Sequence, residues 1–191
     1  LNFTGHASNT GWTNEKILTV NDVKSLTNQQ LPLWLGATCD FLQFDLKAVS
    51  AGEQVLLNPY GGGIGIFSAA RPVYASQNHT INLKFSEYLF KRTNGQHNKI
   101  GDVVAYAKNN VGAEFNKLSY VYMGDPAVKL NFPTDYNVST TKIDDGNELG
   151  NDTLRAMSVV TVSGIIDDGN GNKIQNFNGE LTIVVLDKVQ R

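Results

Sequence analysis

The chain has 191 residues, 41% of them hydrophobic and 18% charged, and its 16 basic and 18 acidic side chains leave a net charge of −2. This composition supports a buried core and argues against global disorder. No basic block is present, which argues against nucleic acid and against a polybasic membrane contact, and no apolar run approaches the roughly 20 residues of a membrane span.

The chain opens at Leu1, without an initiator Met, on what reads as the last part of a strand over Leu1–Phe3. This suggests a processed or excised product. Thr4 to Thr13 is small and polar and reads as loop. Thr19 or Asn21 can cap a short helix running to Leu26. Leu31 to Ala37 is a nearly continuous apolar run, the pattern of a strand covered on both faces in a parallel sheet. Ser50-Ala51-Gly52-Glu53 has capping-box spacing ahead of Val55-Leu56-Leu57, and that helix stops at Asn58-Pro59. Gly61-Gly62-Gly63 then opens a second buried strand, Ile64 to Ala69. Apolar residues at Ile81, Phe85, Tyr88 and Leu89 mark a helix within Tyr74–Phe90, and Val103, Val104 and Ala107 mark another within Ile100–Val111. The order of elements predicts an α/β fold with a mostly parallel sheet. The character changes near Phe132-Pro133-Thr134-Asp135. Beyond it, Met157–Ile166 and Glu180–Leu186 are rich in Val, Ile and Thr, and turn clusters stand at Asp144–Asn147 and Asp167–Asn172. Residues 1–134 are therefore read as one domain and 135–191 as a small, β-sandwich-like module.

Cys39 is the only cysteine, so an internal disulfide is excluded. It follows the strand Leu31–Ala37, and His6 follows the strand at Leu1–Phe3. In a doubly wound sheet, reactive groups gather beyond the carboxyl ends of the strands. If these two strands are parallel neighbours, a thiol and an imidazole emerge at one edge, which is the minimum for nucleophilic attack on a carbonyl. The spacing alone also fits a buried Cys39 that packs as a small apolar residue and a His6 that is merely part of a loop.

The segments "NFTGHASNTGW", "LPLWLGATCDFLQFD" and "SAGEQVLL" together resemble the gingipain family of cysteine peptidases, and more closely its branch of type IX secretion sortases. That branch carries a Gly-His-Gly-Ser-like segment before a Trp, here Gly5-His6-Ala7-Ser8 with Trp12. It also carries an Ala-Thr-Cys-acidic-Phe segment, here Ala37-Thr38-Cys39-Asp40-Phe41, and the 33-residue separation of His6 and Cys39 fits as well. "IGIFSAARPVYASQN", "YVYMGDPAVKL" and "GNKIQNFNGELTIVVLDK" are similar to later parts of the same proteins.

The resemblance implies the C-terminal part of a caspase-like domain followed by an immunoglobulin-like β-module, with the N-terminal half of the domain as a missing partner. It implies Cys39 as nucleophile, His6 as general base, and the backbone N–H groups of Cys39 and Ala7 as oxyanion donors, with Ala7 standing where the family has glycine. It further implies protein or peptide substrates, other secretion-system proteins as partners, and a place at the cell surface. The alternatives are a non-catalytic docking module of the secretion machinery and a general secreted protease.

No cofactor or metal ligand set is indicated. The residues after Asp168-Gly169-Asn170-Gly171-Asn172 do not continue as an EF-hand, since Lys173 and Gly179 occupy the positions where that pattern needs Gly and Glu, so a hairpin turn is expected there. Some relatives bind calcium, which leaves an ion elsewhere open. Gly61–Gly65 follows a helix and opens a strand, the wrong order for a phosphate loop. His79 and His97 have no ligand partner at metal spacing.

Overall fold

The computed structural model describes residues 1–112, 115–132, 136–144, 157, 159–169 and 171–184. They fall into two units, Leu1–Leu130 and Asn131–Arg191.

In the first unit, β1 (Asn2–Thr4) leads into a small antiparallel sheet of β2 (Ala7–Ser8), β3 (Gly11–Trp12) and β4 (Leu18–Thr19). Helix α1 (Val20–Lys24), strand β5 (Leu33–Ala37), helix α2 (Ala51–Leu57) and strand β6 (Gly65–Ala69) follow, and then helix α3 (Ala75–Phe90). A tight hairpin of β7 (Arg92–Thr93) and β8 (Gln96–His97) turns on Asn94-Gly95, both at positive φ, as two-residue hairpin loops require. Helices α4 (Ile100–Asn109) and α5 (Phe115–Ser119) precede strand β9 (Tyr120–Gly124). The central sheet has the order β1-β5-β6-β9. Strand β5 is parallel to both β1 and β6, whereas β9 runs antiparallel to β6.

All five residues of β5 and all five of β6 are buried. The side-chain period of two sorts them into two cores. Leu33, Leu35, Phe67 and Ala69 meet Ile81 and Phe85 of α3 and Val103 and Ala107 of α4. Trp34 and Ile66 meet Trp12, Val23 of α1, and Ala51 and Val55 of α2. Both faces of the sheet are therefore covered, which is why the strand reads as one apolar run. The triple glycine is turn chemistry: Gly62 lies at φ +96°, its N–H bonds Asn28 Oδ1 at 2.9 Å, and Gly63 N–H bonds the Val55 carbonyl at 3.0 Å.

The loop expected over Thr4–Thr13 instead contains β2 and β3. Trp12 explains the difference: it is 7% exposed and stacks on Phe3 with ring centroids 4.0 Å apart, so the polar segment is folded back around one large apolar anchor.

In the second unit, β10 (Asn137–Asp144) pairs antiparallel with β11 (Thr161–Asp167). The chain then closes a hairpin turn, with Asp167 bridged to Lys173 and the Asp168 carboxylate accepting the Asn172 N–H at 3.1 Å. This is the one sheet among the described residues of the unit. Residues 180–184, expected in a strand, are irregular, and Leu181, Ile183 and Val184 are all more than half exposed. β-rich composition alone therefore does not make a strand where no face is buried. Residues 185–186, the boundary at 134/135 and most of the turn cluster at 144–147 lie outside the described residues.

Candidate functional site

The site is built from the loops that leave β1, β5 and β6 at their carboxyl ends. Thr4 pairs with Ala37 in the parallel ladder, and Gly5 N–H continues the pairing to the Ala37 carbonyl at 3.3 Å. His6 and Cys39 each lie two residues past that pair, so the register delivers both to the same sheet edge. His6 is exposed, Thr38 is fully buried and Cys39 is half-buried.

Asp40 turns the chain immediately after the cysteine, at φ 51°. This left-handed conformation is one that Asp tolerates better than most residues. The loop is then tied to the one leaving β6: Asp40 N–H bonds the Arg71 carbonyl at 3.3 Å and Leu42 N–H bonds the Ala69 carbonyl at 3.1 Å. Across the surface, the Arg71 guanidinium grips the Asp45 carboxylate with two bonds of 3.0 and 2.7 Å. Burial raises the Asp40 carboxyl above its ordinary range, and the Arg71 charge opposes that shift.

The thiol rests against Val73. Val73 N–H points at Sγ at 3.4 Å, and Sγ faces the Val73 carbonyl at 3.6 Å. The thiol's hydrogen bonds thus go to the backbone of the β6–α3 loop and not to the imidazole. A buried polar network holds that loop. The Asn116 side chain accepts the Tyr74 N–H at 3.0 Å and donates to the Tyr74 carbonyl at 2.9 Å and to Asn78 Oδ1 at 3.0 Å. The Tyr120 hydroxyl donates to the same Asn78 oxygen at 2.8 Å. Burial pushes the Tyr120 hydroxyl far above its usual range, and the neighbouring Cys39 adds in the same direction. Asn78, Asn116 and Tyr120 therefore fix the β6–α3 loop on which the thiol rests. Their spacing in the sequence gives no sign of this, because each is a common residue on a different element.

Ala7 pairs with Trp12, and Thr13 N–H bonds the His6 carbonyl at 2.9 Å. In an antiparallel ladder this makes Ala7–Trp12 a non-hydrogen-bonded pair, so the Ala7 N–H points away from β3. Strand β2 is an edge of its sheet, which leaves this N–H directed outward. The Ala7 backbone is not in the left-handed region, so this position does not demand glycine.

Helix α2 joins the two loops. Ser50 and Glu53 form the capping box, with the Ser50 hydroxyl accepting the Glu53 N–H at 3.3 Å and the Glu53 carboxylate accepting the Ser50 N–H at 2.8 Å. The two N–H groups between them bond carbonyls of both site loops: Ala51 to Asn9 at 2.7 Å and Gly52 to Phe41 at 3.0 Å. These donors have no partner within a helix, and here they clamp the His6 loop and the Cys39 loop to one point. A Cβ at Gly52 would stand 2.5 Å from the Phe41 carbonyl oxygen, so the clamp needs glycine there. Among the described residues, no group of three His, Cys, Asp or Glu side chains is placed to hold a metal ion.

Residues 1–131 match the model of peptidase family C25. Among solved structures, the Arg-specific cysteine proteinase gingipain R (RgpB) superposes with a TM-score of 0.61 at 22% identity, over 73% of this chain and 35% of that one. The complex of Porphyromonas gingivalis RgpB pro- and mature domains gives 0.55 at 19% identity, over 73% and 36%. A structure described as a protease gives 0.52 at 18% identity, over 74% and 37%. The sheet thus has the gingipain, caspase-like fold, and the chain spans about a third of those solved chains. No curated protein matches.

Proposed function

Because the chain belongs to peptidase family C25, the gingipain family, we propose that Cys39 and His6 are the nucleophile and general base of a cysteine endopeptidase. The observation that carries this reading is the register of β1 and β5, which sends both residues to one sheet edge. In the reaction, the thiol leaves Val73 and gives its proton to the His6 imidazole. The thiolate attacks the scissile carbonyl carbon, and the oxyanion is held by the N–H groups of Ala7 and Cys39. Collapse expels the amine, which takes its proton from the imidazolium, and leaves a thioester on Cys39. Water or a second amine then resolves the thioester.

Within this class, the finer reading is a sortase of type IX secretion at the cell surface. It would cut C-terminal sorting domains from secreted proteins and pass the acyl group to water or to a surface glycolipid amine, alongside other secretion-system proteins. The motifs around His6 and Cys39 support the branch, and a thioester open to two nucleophiles supports the chemistry. The test is a Cys39→Ala variant of the longer gene product. Accumulation of uncut secreted proteins is expected. Normal processing would overturn the reading.

A second reading, a non-catalytic docking module, is favoured by one observation: both hydrogen bonds of the thiol go to Val73. It requires that a peptidyl chloromethyl ketone leave Cys39 unmodified in the complete protein. A covalent adduct on Cys39 would rule it out.

A further inference from the structure

A pocket of about 440 Å³ opens on the segment that follows His6, within the roughly 300–1,000 Å³ of ligand sites. Among the described residues that line it, Ser8, Thr10 and Thr19 bring hydroxyls, Asn14 and Asn21 bring carboxamides, and Lys16 brings the one charge. Hydrogen bonds fix these walls. The Ser8 and Thr10 hydroxyls lie 2.9 Å apart, and the Thr10 N–H donates to Ser8 Oγ at 3.3 Å. Val20 N–H bonds the Thr10 carbonyl at 3.1 Å, which ties the start of α1 to the connection between β2 and β3. The turn that joins β3 to β4 forms one side. Its first residue, Thr13, donates its N–H to the His6 carbonyl at 2.9 Å, and Lys16 N–H returns to the Thr13 carbonyl at 3.2 Å. Both ends of this turn lie in the left-handed region, at φ 57°. A β-branched residue such as Thr13 takes that conformation rarely, and such strain clusters at functional sites.

The place of the pocket decides which part of a substrate it meets. The imidazole is the group that passes a proton to the departing amine, so the leaving part of the substrate lies on the side of the histidine. The pocket is built on the histidine's own chain segment, whereas the thiol rests on the β6–α3 loop. Its lining decides what it selects. Sites for organic ligands are mostly apolar, and hydroxyls, amides and an ammonium suit a hydrated side chain instead. The carboxylates beside it in the sequence are engaged elsewhere. Asp22 accepts the Thr19 N–H and hydroxyl, each at 2.7 Å. Glu15 lies outside the lining, and its own backbone N–H holds its carboxyl below the ordinary range. We propose that this pocket receives the substrate residues that follow the scissile bond and selects an acidic side chain there through Lys16. This rests on the reading of His6 as general base.

The experiment digests a mixture of synthetic peptides with the longer gene product and with its Lys16→Gln and Lys16→Glu variants, and reads the cleavage positions by mass spectrometry. In the parent, Asp and Glu just after the cut should exceed Lys and Arg there by on the order of threefold, as for an exposed ion pair. The excess should shrink in about 1 M NaCl, where such a pair is screened. Lys16→Gln should abolish the preference and Lys16→Glu should turn it toward Lys and Arg, while preferences before the cut stay the same in all three proteins. Equal cleavage before acidic and basic residues in the parent, or an unchanged acidic preference in Lys16→Glu, would overturn the role of the pocket while leaving the peptidase reading intact. A change before the cut instead would overturn its assignment to the leaving side. Absence of cleavage by the parent, or undiminished cleavage by His6→Ala, would overturn the underlying reading itself.

Discussion

Thr4 stands opposite Ala37 in the parallel ladder of β1 and β5. That single pairing decides where His6 and Cys39 emerge, because each follows its strand partner by two residues. The consequence is a division between stability and activity. Neither His6, which is exposed, nor Cys39, which is half-buried, is part of either core. Cys39→Ala and His6→Ala should each lower kcat/KM of the longer protein by on the order of 10⁴-fold or more. Thermal unfolding should show a stability change within about 0.5 kcal/mol for His6→Ala, as for other exposed residues.

The network behind the thiol makes the opposite prediction. Asn116 is 1% exposed and its side chain makes three hydrogen bonds that no other residue replaces. Asn116→Ala strands the Tyr74 N–H and removes one donor from Asn78. A buried polar group left unpaired costs about 1–3 kcal/mol, and the loss should appear as a lowered urea midpoint with an unchanged slope. Tyr120→Phe removes one hydrogen bond and should cost about 1 kcal/mol.

The α2 cap links stability to the site. Ser50→Ala removes the acceptor for the Glu53 N–H and should cost about 1 kcal/mol. Because Ala51 and Gly52 of the same turn hold the Asn9 and Phe41 carbonyls, fraying there also loosens the loops that carry His6 and Cys39. Faster amide hydrogen exchange is expected at Ala51 and Gly52 in this variant, together with a reduced kcat/KM. Unchanged exchange there would show that the cap is not what holds the clamp.

Asp40 gives a pH dependence of definite sign. Burial raises its carboxyl in the folded protein, against the opposing Arg71 charge. In the unfolded chain it titrates near the ordinary value of about 3.9. Between that value and the higher folded midpoint, the folded state binds more protons than the unfolded one. Stability therefore falls as pH rises through this window and stays lower above it. Asp40→Asn keeps a residue that accepts the left-handed backbone and removes the charge. The variant should be more stable than the parent at pH 7, with the two curves converging below about pH 3.5. Equal stability at neutral pH would contradict this account of Asp40.

Much of the central sheet was legible because burial on both faces leaves a continuous apolar run, as in Leu33–Ala37, and because the Ser50–Glu53 cap has a fixed spacing. The placement of His6 and Cys39 beyond one sheet edge was legible from their positions after strands. Strand β9 was not, because Tyr120–Gly124 mixes aromatic and small residues, and its place beside β6 depends on partners far away in the chain. The two-residue strands around Trp12 carry too few residues for a period to show. Asn116 and Val73 escaped for a different reason: their roles come from backbone and amide hydrogen bonds, which leave no pattern of residue types.

The most direct test of the central claim is the rate at which iodoacetamide alkylates Cys39 in the folded protein at pH 7, with and without His6→Ala. Cys39 is the sole thiol of this chain, so a Cys39→Ala control isolates its signal. The expected result is labelling about tenfold or more faster than in the denatured protein, as for a thiol activated by a neighbouring base, with that advantage lost when His6 is replaced. Equal rates with and without the imidazole would contradict a working pair of His6 and Cys39.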